Sequence, residues 1–237
     1  MNDLMSAAEM LRDNKYPGRG IIVGKSADGE SAFFAYFIMG RSENSRNRLL
    51  EAEGDTLRTL PYDESLVSDP SLIIYTAMRR VGDHLILTNG DQTDTVADAL
   101  SEGGDFFSAL GTRVYEPDAP NYTPRISALI DLSGFRRYDM SILRRGYDGG
   151  CDYGEYSFIP EAGVGHLLHT YEGDGDPLPS FRGSPRPIAI DEDLDAYVRA
   201  LWDALDKDNK IALFARAVGI GRNSKRTWLF NQHVRRG

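Results

Sequence analysis

Cysteine is almost missing from this chain: Cys151 is its one thiol in 237 residues. That excludes an intrachain disulfide and a cysteine-built zinc cluster, and it fits a reducing compartment. Long apolar runs are missing too, since none reaches the ~18 residues that a membrane helix requires. The stretch from Asn2 to Asp13, NDLMSAAEMLRD, carries acids where a secretory leader carries bases. The expectation is a soluble, cytoplasmic protein with no membrane partner. Positive charge is in deficit, with 27 Lys and Arg against 36 Asp and Glu and a net charge of -9. A general nucleic-acid coat, which works by neutralising phosphates, is therefore not expected. Histidine is limited to His84, His166, His169 and His233. Of these only His166 and His169 are close in sequence, and a HxxH pair without a nearby third ligand is weak support for a metal site. No Walker loop, GxGxxG or GxSxG occurs, so P-loop, dinucleotide and serine-hydrolase chemistry lose their main support.

What is present suffices for a substantial core. With 41% hydrophobic residues, the chain is read as one domain spanning residues 1–237. Leu4 to Arg12 has helical spacing and ends at Tyr16, Pro17 and Gly18. Gly20 to Lys25 and Ser31 to Met39 are rich in Ile, Val, Phe and Tyr, and the intervening SADGE carries an Asp-Gly hairpin signal. A second hairpin is expected from Leu72 to Arg80 and His84 to Asn89, turning at Val81, Gly82 and Asp83. Thr93 to Glu102 reads as a helix capped by Thr93 or Asp94 and stopped by Gly103-Gly104. Arg125 to Leu132 and Arg137 to Leu143 form a third strand pair. Asp191 to Leu205 is an amphipathic helix with three leading acids at its positive end. Lys210 to Val218 and Arg226 to Phe230 close the chain as strands, and Gly173 to Pro187 is a surface connection. Strand pairs interrupted by helices, without regular alternation, predict an α+β layered fold with mainly antiparallel sheets.

Three arginines crowd into Gly40 to Arg48, GRSENSRNR, directly after an apolar run. Guanidinium, hydroxyl and amide donors from Arg41, Ser42, Asn44, Arg46, Asn47 and Arg48 suit phosphate or carboxylate oxygens. On spacing alone the segment is either an anion-binding loop or a solvated charged loop. Thr88 to Thr95, TNGDQTDT, follows a strand and precedes a helix, where an anion is received well; an ordinary turn and helix cap explains the same pattern. Tyr75, within an apolar strand, reads as a core aromatic with a satisfied hydroxyl or as a catalytic group. Glu116 and Asp118 precede the rigid turn NYTPR, Asn121 to Arg125, and offer themselves as general bases or as acceptors within the turn.

Four segments share an order with a known family: YPGRGIIVGK at Tyr16 to Lys25, FFAYFIMGRSENSRNR at Phe33 to Arg48, IIYTAMRRVGDHLILTNGDQTDTVAD at Ile73 to Asp98, and NYTPRISALI at Asn121 to Ile130. In these the chain resembles the archaeal-type (PurO-like) inosine monophosphate cyclohydrolase family, over about its first half, with little likeness beyond about Arg145. The resemblance implies a four-layer αββα sandwich like that of N-terminal nucleophile hydrolases. It also implies closure of 5-formamidoimidazole-4-carboxamide ribonucleotide (FAICAR) to inosine monophosphate (IMP) and water, without a metal or organic cofactor. By the same resemblance Arg41, Arg46 and Arg48 serve the 5'-phosphate or the developing oxyanion. Tyr75 hydrogen-bonds the formyl oxygen or relays a proton, and Glu116 or Asp118 deprotonates the carboxamide. Ser42, Asn89, Thr93, Asp94 and Arg125 hold the nucleotide, and Arg19 and Lys25 are weaker candidates. A purine ribonucleotide is the implied partner, and a homo-oligomer is suggested. The alternative is a non-catalytic purine nucleotide or phosphate-binding protein on the same fold. Amide hydrolysis would need a processed N-terminus exposing Ser6, and the sequence begins Met1, Asn2, Asp3.

Overall fold

Two antiparallel sheets face one another across a shared apolar layer. They are seen in a computed structural model that describes residues 4–67 and 74–233. The first sheet is built from β1 (Arg19–Lys25), β2 (Ser31–Met39), β10 (Val164–His169), β11 (Arg186–Ala189), β12 (Lys210–Gly219) and β13 (Lys225–Asn231), in the order β11-β10-β1-β2-β12-β13. The second contains β3 (Arg48–Glu53), β4 (Thr56–Pro61), β5 (Thr76–Val81), β6 (His84–Thr88), β7 (Arg125–Asp131), β8 (Tyr138–Arg145) and β9 (Cys151–Phe158), in chain order. Every named strand pair is antiparallel. The expected α+β class with mainly antiparallel sheets is what the chain adopts.

The unbroken apolar run of β2 has a simple cause, because both faces of its sheet are covered. Phe34, Tyr36 and Ile38 point into the layer between the sheets with Leu85, Leu87, Ile126, Ala128 and Met140. Phe33, Ala35 and Phe37 point the other way, toward α1 (Ala7–Leu11) and α5 (Leu194–Ala204). Alternation along a strand makes the division automatic. On the outer face of the second sheet, Ile86 and Leu129 meet α3 (Gln92–Ser101) and α4 (Phe106–Leu110). At about 25 cal/mol per Å² of apolar surface removed from water, these layers supply the main favourable term. None of the helices among the described residues is long and apolar enough to cross a membrane.

Helix ends follow local chemistry. Ser6 and Glu9 form a reciprocal capping box on α1, and Asp193 accepts from the amides of Asp195 and Ala196 at the start of α5. The cap of α3 differs from expectation. Asp91 occupies that position without a side-chain capping bond, because its carboxylate is taken by Arg113 and Arg125, while Thr93 and Asp94 lie inside the helix.

Other boundaries also move. Gly40 to Arg48 is not one polar loop: Ser42 caps a single helical turn, α2 (Glu43–Arg46), and Arg48 opens β3. Of the expected strand from Leu72, residues 72 and 73 lie outside the described residues, and β5 begins at Thr76. The connection Gly173 to Pro187 buries Leu178 and Phe181 and ends inside β11. His166 and His169 do not converge, since positions three apart on a strand point to opposite sides. Their Nδ1 atoms pair with the Tyr138 hydroxyl and the Tyr171 carbonyl.

Candidate active site

At one end of the inter-sheet space, β1 starts, β2 ends and β3 begins. These ends surround a cavity of about 190 Å³ lined by Tyr16, Arg19, Arg41, Ser42, Ser45, Arg48, Asp118, Asn121, Thr123, Tyr171 and Leu178. A larger cleft of about 390 Å³ lies against α4, with Phe106, Phe107 and Leu129 as floor and His84, Asp131 and Arg137 at its rim. The smaller cavity is the one bordered by buried, unpartnered donors.

Arg48 is 1% exposed, which is extreme for a guanidinium. Its Nε donates to the Ser45 carbonyl at 2.8 Å and its Nη2 to the Met39 carbonyl at 3.0 Å. Its Nη1 has no hydrogen-bond partner among the described residues, and neither has Nε of Arg19. A buried donor left unpaired is costly, so this pair marks a place where a ligand acceptor is favoured. Burial and the neighbouring charge of Arg19 lower the pKa of Arg48. Burial also works against the charge of Arg19, but the Glu116 carboxylate and the Tyr75, Tyr171 and Tyr36 phenols together outweigh it and hold that guanidinium firmly protonated.

Glu116 is 2% exposed, with Oε2 3.8 Å from Arg19 Nη1. Burial raises its pKa to about 6, with Arg19 and Arg125 opposing the rise. Such a carboxyl changes protonation near neutral pH, as a general base requires. Asp118 is differently placed. Its carboxylate accepts the Thr123 amide at 2.6 Å and the Thr123 hydroxyl, which is itself 2.5 Å from the Tyr171 hydroxyl. This ties the turn before β7 together.

Tyr75 precedes β5 and is buried, with its hydroxyl 2.7 Å from that of Tyr36 on β2. Burial, then the neighbouring phenol, pushes the Tyr36 hydroxyl well above its usual pKa, so it remains a proton donor. Electrostatic interaction of both phenols with Arg19 and Arg48 links this pair to the arginine cluster.

The remaining candidates separate. Arg41 reaches the cavity with its guanidinium 5.3 Å from the Tyr16 ring centroid, and Ser42 lines the same wall while capping α2. Arg46 is absent from that lining, and donates to Gly40 O at 3.2 Å and Asn209 Oδ1 at 3.3 Å. Asn89 is fully buried, donating to Pro124 O and accepting from Gln92 Nε2 and the Ile126 amide. Thr93 bonds Thr88 and Gly90, and exposed Asp94 pairs with Arg79. Arg125 bonds Val114 O, Asp91 and Gln92. Lys25 sits at the far end of β1. Ser6, the nucleophile that amide hydrolysis would need, caps α1 and is absent from the cavity lining. Tyr36 escaped the sequence reading, although it is the one hydroxyl on the inward face of FFAYFIM. Nothing in the sequence marked Tyr171 or Asp174.

The cavity thus combines cationic donors with the Asp118 carboxylate, and Arg19 and Arg48 on its wall connect it to the Glu116 carboxyl and the Tyr36–Tyr75 pair, which lie outside its lining; the arrangement suits an anionic ligand and proton transfer. Comparison with known proteins gives the same direction. A family described as IMP cyclohydrolase-like protein matches residues 16–222, well past Arg145, where the sequence motifs fade. An IMP cyclohydrolase of Methanopyrus kandleri is 32% identical over 180 residues, covering 70% of this chain and 89% of that protein. One from Methanococcus maripaludis is 36% identical over 163 residues, covering 66% and 75%. A third, from Methanococcus aeolicus, is 32% identical over 161 residues, covering 66% and 74%. With the match running from Tyr16 on the cavity wall to Arg222 beyond β12, this chain belongs to the IMP cyclohydrolase-like family.

Proposed function

We propose that this chain is an IMP cyclohydrolase, closing FAICAR to IMP with loss of water, and that it does so as a single domain. The observation that carries the chemistry is the buried Arg19, Arg48 and Glu116 cluster beside the Tyr36–Tyr75 pair. The two sheets with helices on their outer faces support a four-layer αββα sandwich of the N-terminal nucleophile hydrolase type.

In the reaction the carboxamide nitrogen attacks the formyl carbon to form a C–N bond, the formyl C–O bond breaks, and the oxygen leaves as water, its two protons balanced by one lost from the carboxamide nitrogen and one from the formamido nitrogen. An amide nitrogen is a poor nucleophile, so the site must position it, take its proton and stabilise negative charge on the formyl oxygen. Glu116 is the proton acceptor in this reading, because its carboxyl is buried and poised near neutrality, whereas Asp118 holds Thr123. Arg48 Nη1 and Arg19 Nε stabilise the oxyanion with donors that have no protein partner among the described residues. Tyr75, with Tyr36 behind it, protonates the departing oxygen. Arg41 and Ser42, at the more open wall, take the 5'-phosphate. Arg46, Asn89, Thr93 and Arg125 brace the walls, and Asp94 pairs at the surface.

The test is to mix purified protein with FAICAR and follow IMP formation. Turnover above buffer is expected. Absence of turnover with nucleotide binding intact would overturn the enzymatic reading and leave a purine nucleotide-binding protein on the same fold.

A further inference from the structure

The arginine assigned to phosphate is already occupied by an acid of its own chain. Arg41 Nη1 donates to Asp174 Oδ1 at 2.6 Å and to the Gly175 carbonyl at 2.7 Å. The segment carrying these acceptors leads to Leu178 on the cavity wall. Its neck is closed by Glu172 N donating to Pro179 O and Phe181 N to Thr170 O. Leu178 lines the cavity and is held by its amide on Asn121 Oδ1 at 3.0 Å. Tyr16 lies beneath the Arg41 guanidinium and stacks on Tyr171 with ring centroids 5.9 Å apart, and both rings line the cavity.

We propose that Asp174 is an internal competitor for the ligand's phosphate, which weakens the binding of phosphorylated nucleosides at Arg41 and leaves that of unphosphorylated ones unchanged. This rests on the cyclohydrolase reading, in which Arg41 takes the phosphate. One guanidinium edge cannot serve Asp174 and a phosphate oxygen at once, and the two anions repel at contact distance. A ligand with a full phosphate charge displaces the carboxylate, while a nucleoside or a weak anion does not. The side chain of Asp174 is 50% exposed and that of Arg41 34%, so the released carboxylate returns to water at little cost. The pairing also holds the Asp174 carboxyl below its ordinary pKa, which keeps the competitor charged at neutral pH. The competition is therefore mild, amounting to about a 1.5- to fivefold change in affinity, the range of a partly exposed ion pair.

The experiment measures dissociation constants of IMP and inosine by titration calorimetry for the wild type, Asp174→Asn, Arg41→Met and the double variant, alongside FAICAR turnover. Asp174→Asn is expected to tighten IMP about 1.5- to fivefold and leave inosine unchanged. In the Arg41→Met background the same change should have no effect on IMP. Unchanged or weaker IMP binding by Asp174→Asn, in a folded protein that turns over FAICAR, overturns the competitor role alone. Equal tightening of IMP and inosine also overturns it, because the effect would then come from the cavity wall and not from phosphate. A wild type that neither binds IMP nor converts FAICAR overturns the function reading, and this inference with it.

Discussion

The hydroxyls of Tyr36 and Tyr75 meet at 2.7 Å across the space between the two sheets, although 39 positions separate them in the chain. Each phenol satisfies the other in a place with little access to water. This lets a polar pair stand in the apolar layer between the sheets, in electrostatic reach of the buried Arg19 and Arg48.

Tyr75→Phe is expected to lower kcat by about 100-fold and change KM by less than about threefold, the signature of a proton donor acting in the transition state. The variant leaves the Tyr36 hydroxyl without its partner and costs about 1–3 kcal/mol of stability. Steady-state kinetics with FAICAR and urea unfolding check the two parts. A kcat equal to wild type removes the phenol from the chemistry.

Glu116 gives a pH signature. Its folded pKa of about 6 lies above the usual 4.5, so the folded chain binds this proton more tightly than the unfolded chain. The resulting stabilisation, about 2 kcal/mol, is complete below pH 4.5 and lost as the pH rises through 6. Catalysis needs the opposite form, so kcat/KM should rise with pH through about 6. Glu116→Gln should lose about 100-fold or more in kcat and abolish the pH-dependent step in stability. Retention of that step in the variant would assign it to another group.

Arg46 and Arg48 stand two positions apart and should respond oppositely. Arg48→Met removes a buried charged donor and is expected to reduce kcat/KM by about 100-fold, corresponding to about 3 kcal/mol for a charge-assisted bond. Among the described residues the Arg46 guanidinium hydrogen-bonds Gly40 and Asn209, and Arg46→Gln should stay within about twofold of wild type. Kinetics on the two variants check this, and a severe loss in Arg46→Gln would return it to the substrate.

Gly18 supports the site through backbone geometry. Its φ is +79°, and an added Cβ would lie 2.3 Å from Thr170 Oγ1 and 2.5 Å from the Tyr171 ring. Gly18→Ala is expected to cost about 2–4 kcal/mol, combining left-handed strain with overpacking. Because Tyr171 is part of the cavity wall, substrate KM should rise as well. Thermal unfolding with the same kinetic assay measures both, and a melting temperature equal to wild type would contradict the clash.

The central hairpin of β1 and β2 was legible in the sequence because an apolar run with a turn signal has few other uses. The pair β3 and β4 was not, since Glu51, Glu53 and Arg58 leave one face polar and the segment follows a cluster of charged residues. The arginine cluster pointed to anion binding, but the sequence could not divide Arg41, Arg46 and Arg48. The turn of α2 sends Arg46 to Asn209, and the start of β3 carries Arg48 into the core. Asn89 and Arg125 stood in the right segments, yet their bonds go to backbone and neighbouring side chains.

Local order of apolar, turn and charged residues determined the β1–β2, β5–β6 and β7–β8 pairs, the amphipathic α5, the family resemblance and the presence of an anion-seeking segment. Those features depend on contacts between near neighbours in the chain, where side-chain periodicity is read directly. Tertiary structure decided which groups are desolvated and which are already paired. Glu116 and Asp118 are two residues apart, but one is buried beside Arg19 and the other is held by Thr123. Arg41 meets Asp174 across 133 positions. Burial and long-range pairing fix pKa and donor availability, and neither is encoded in spacing along the chain.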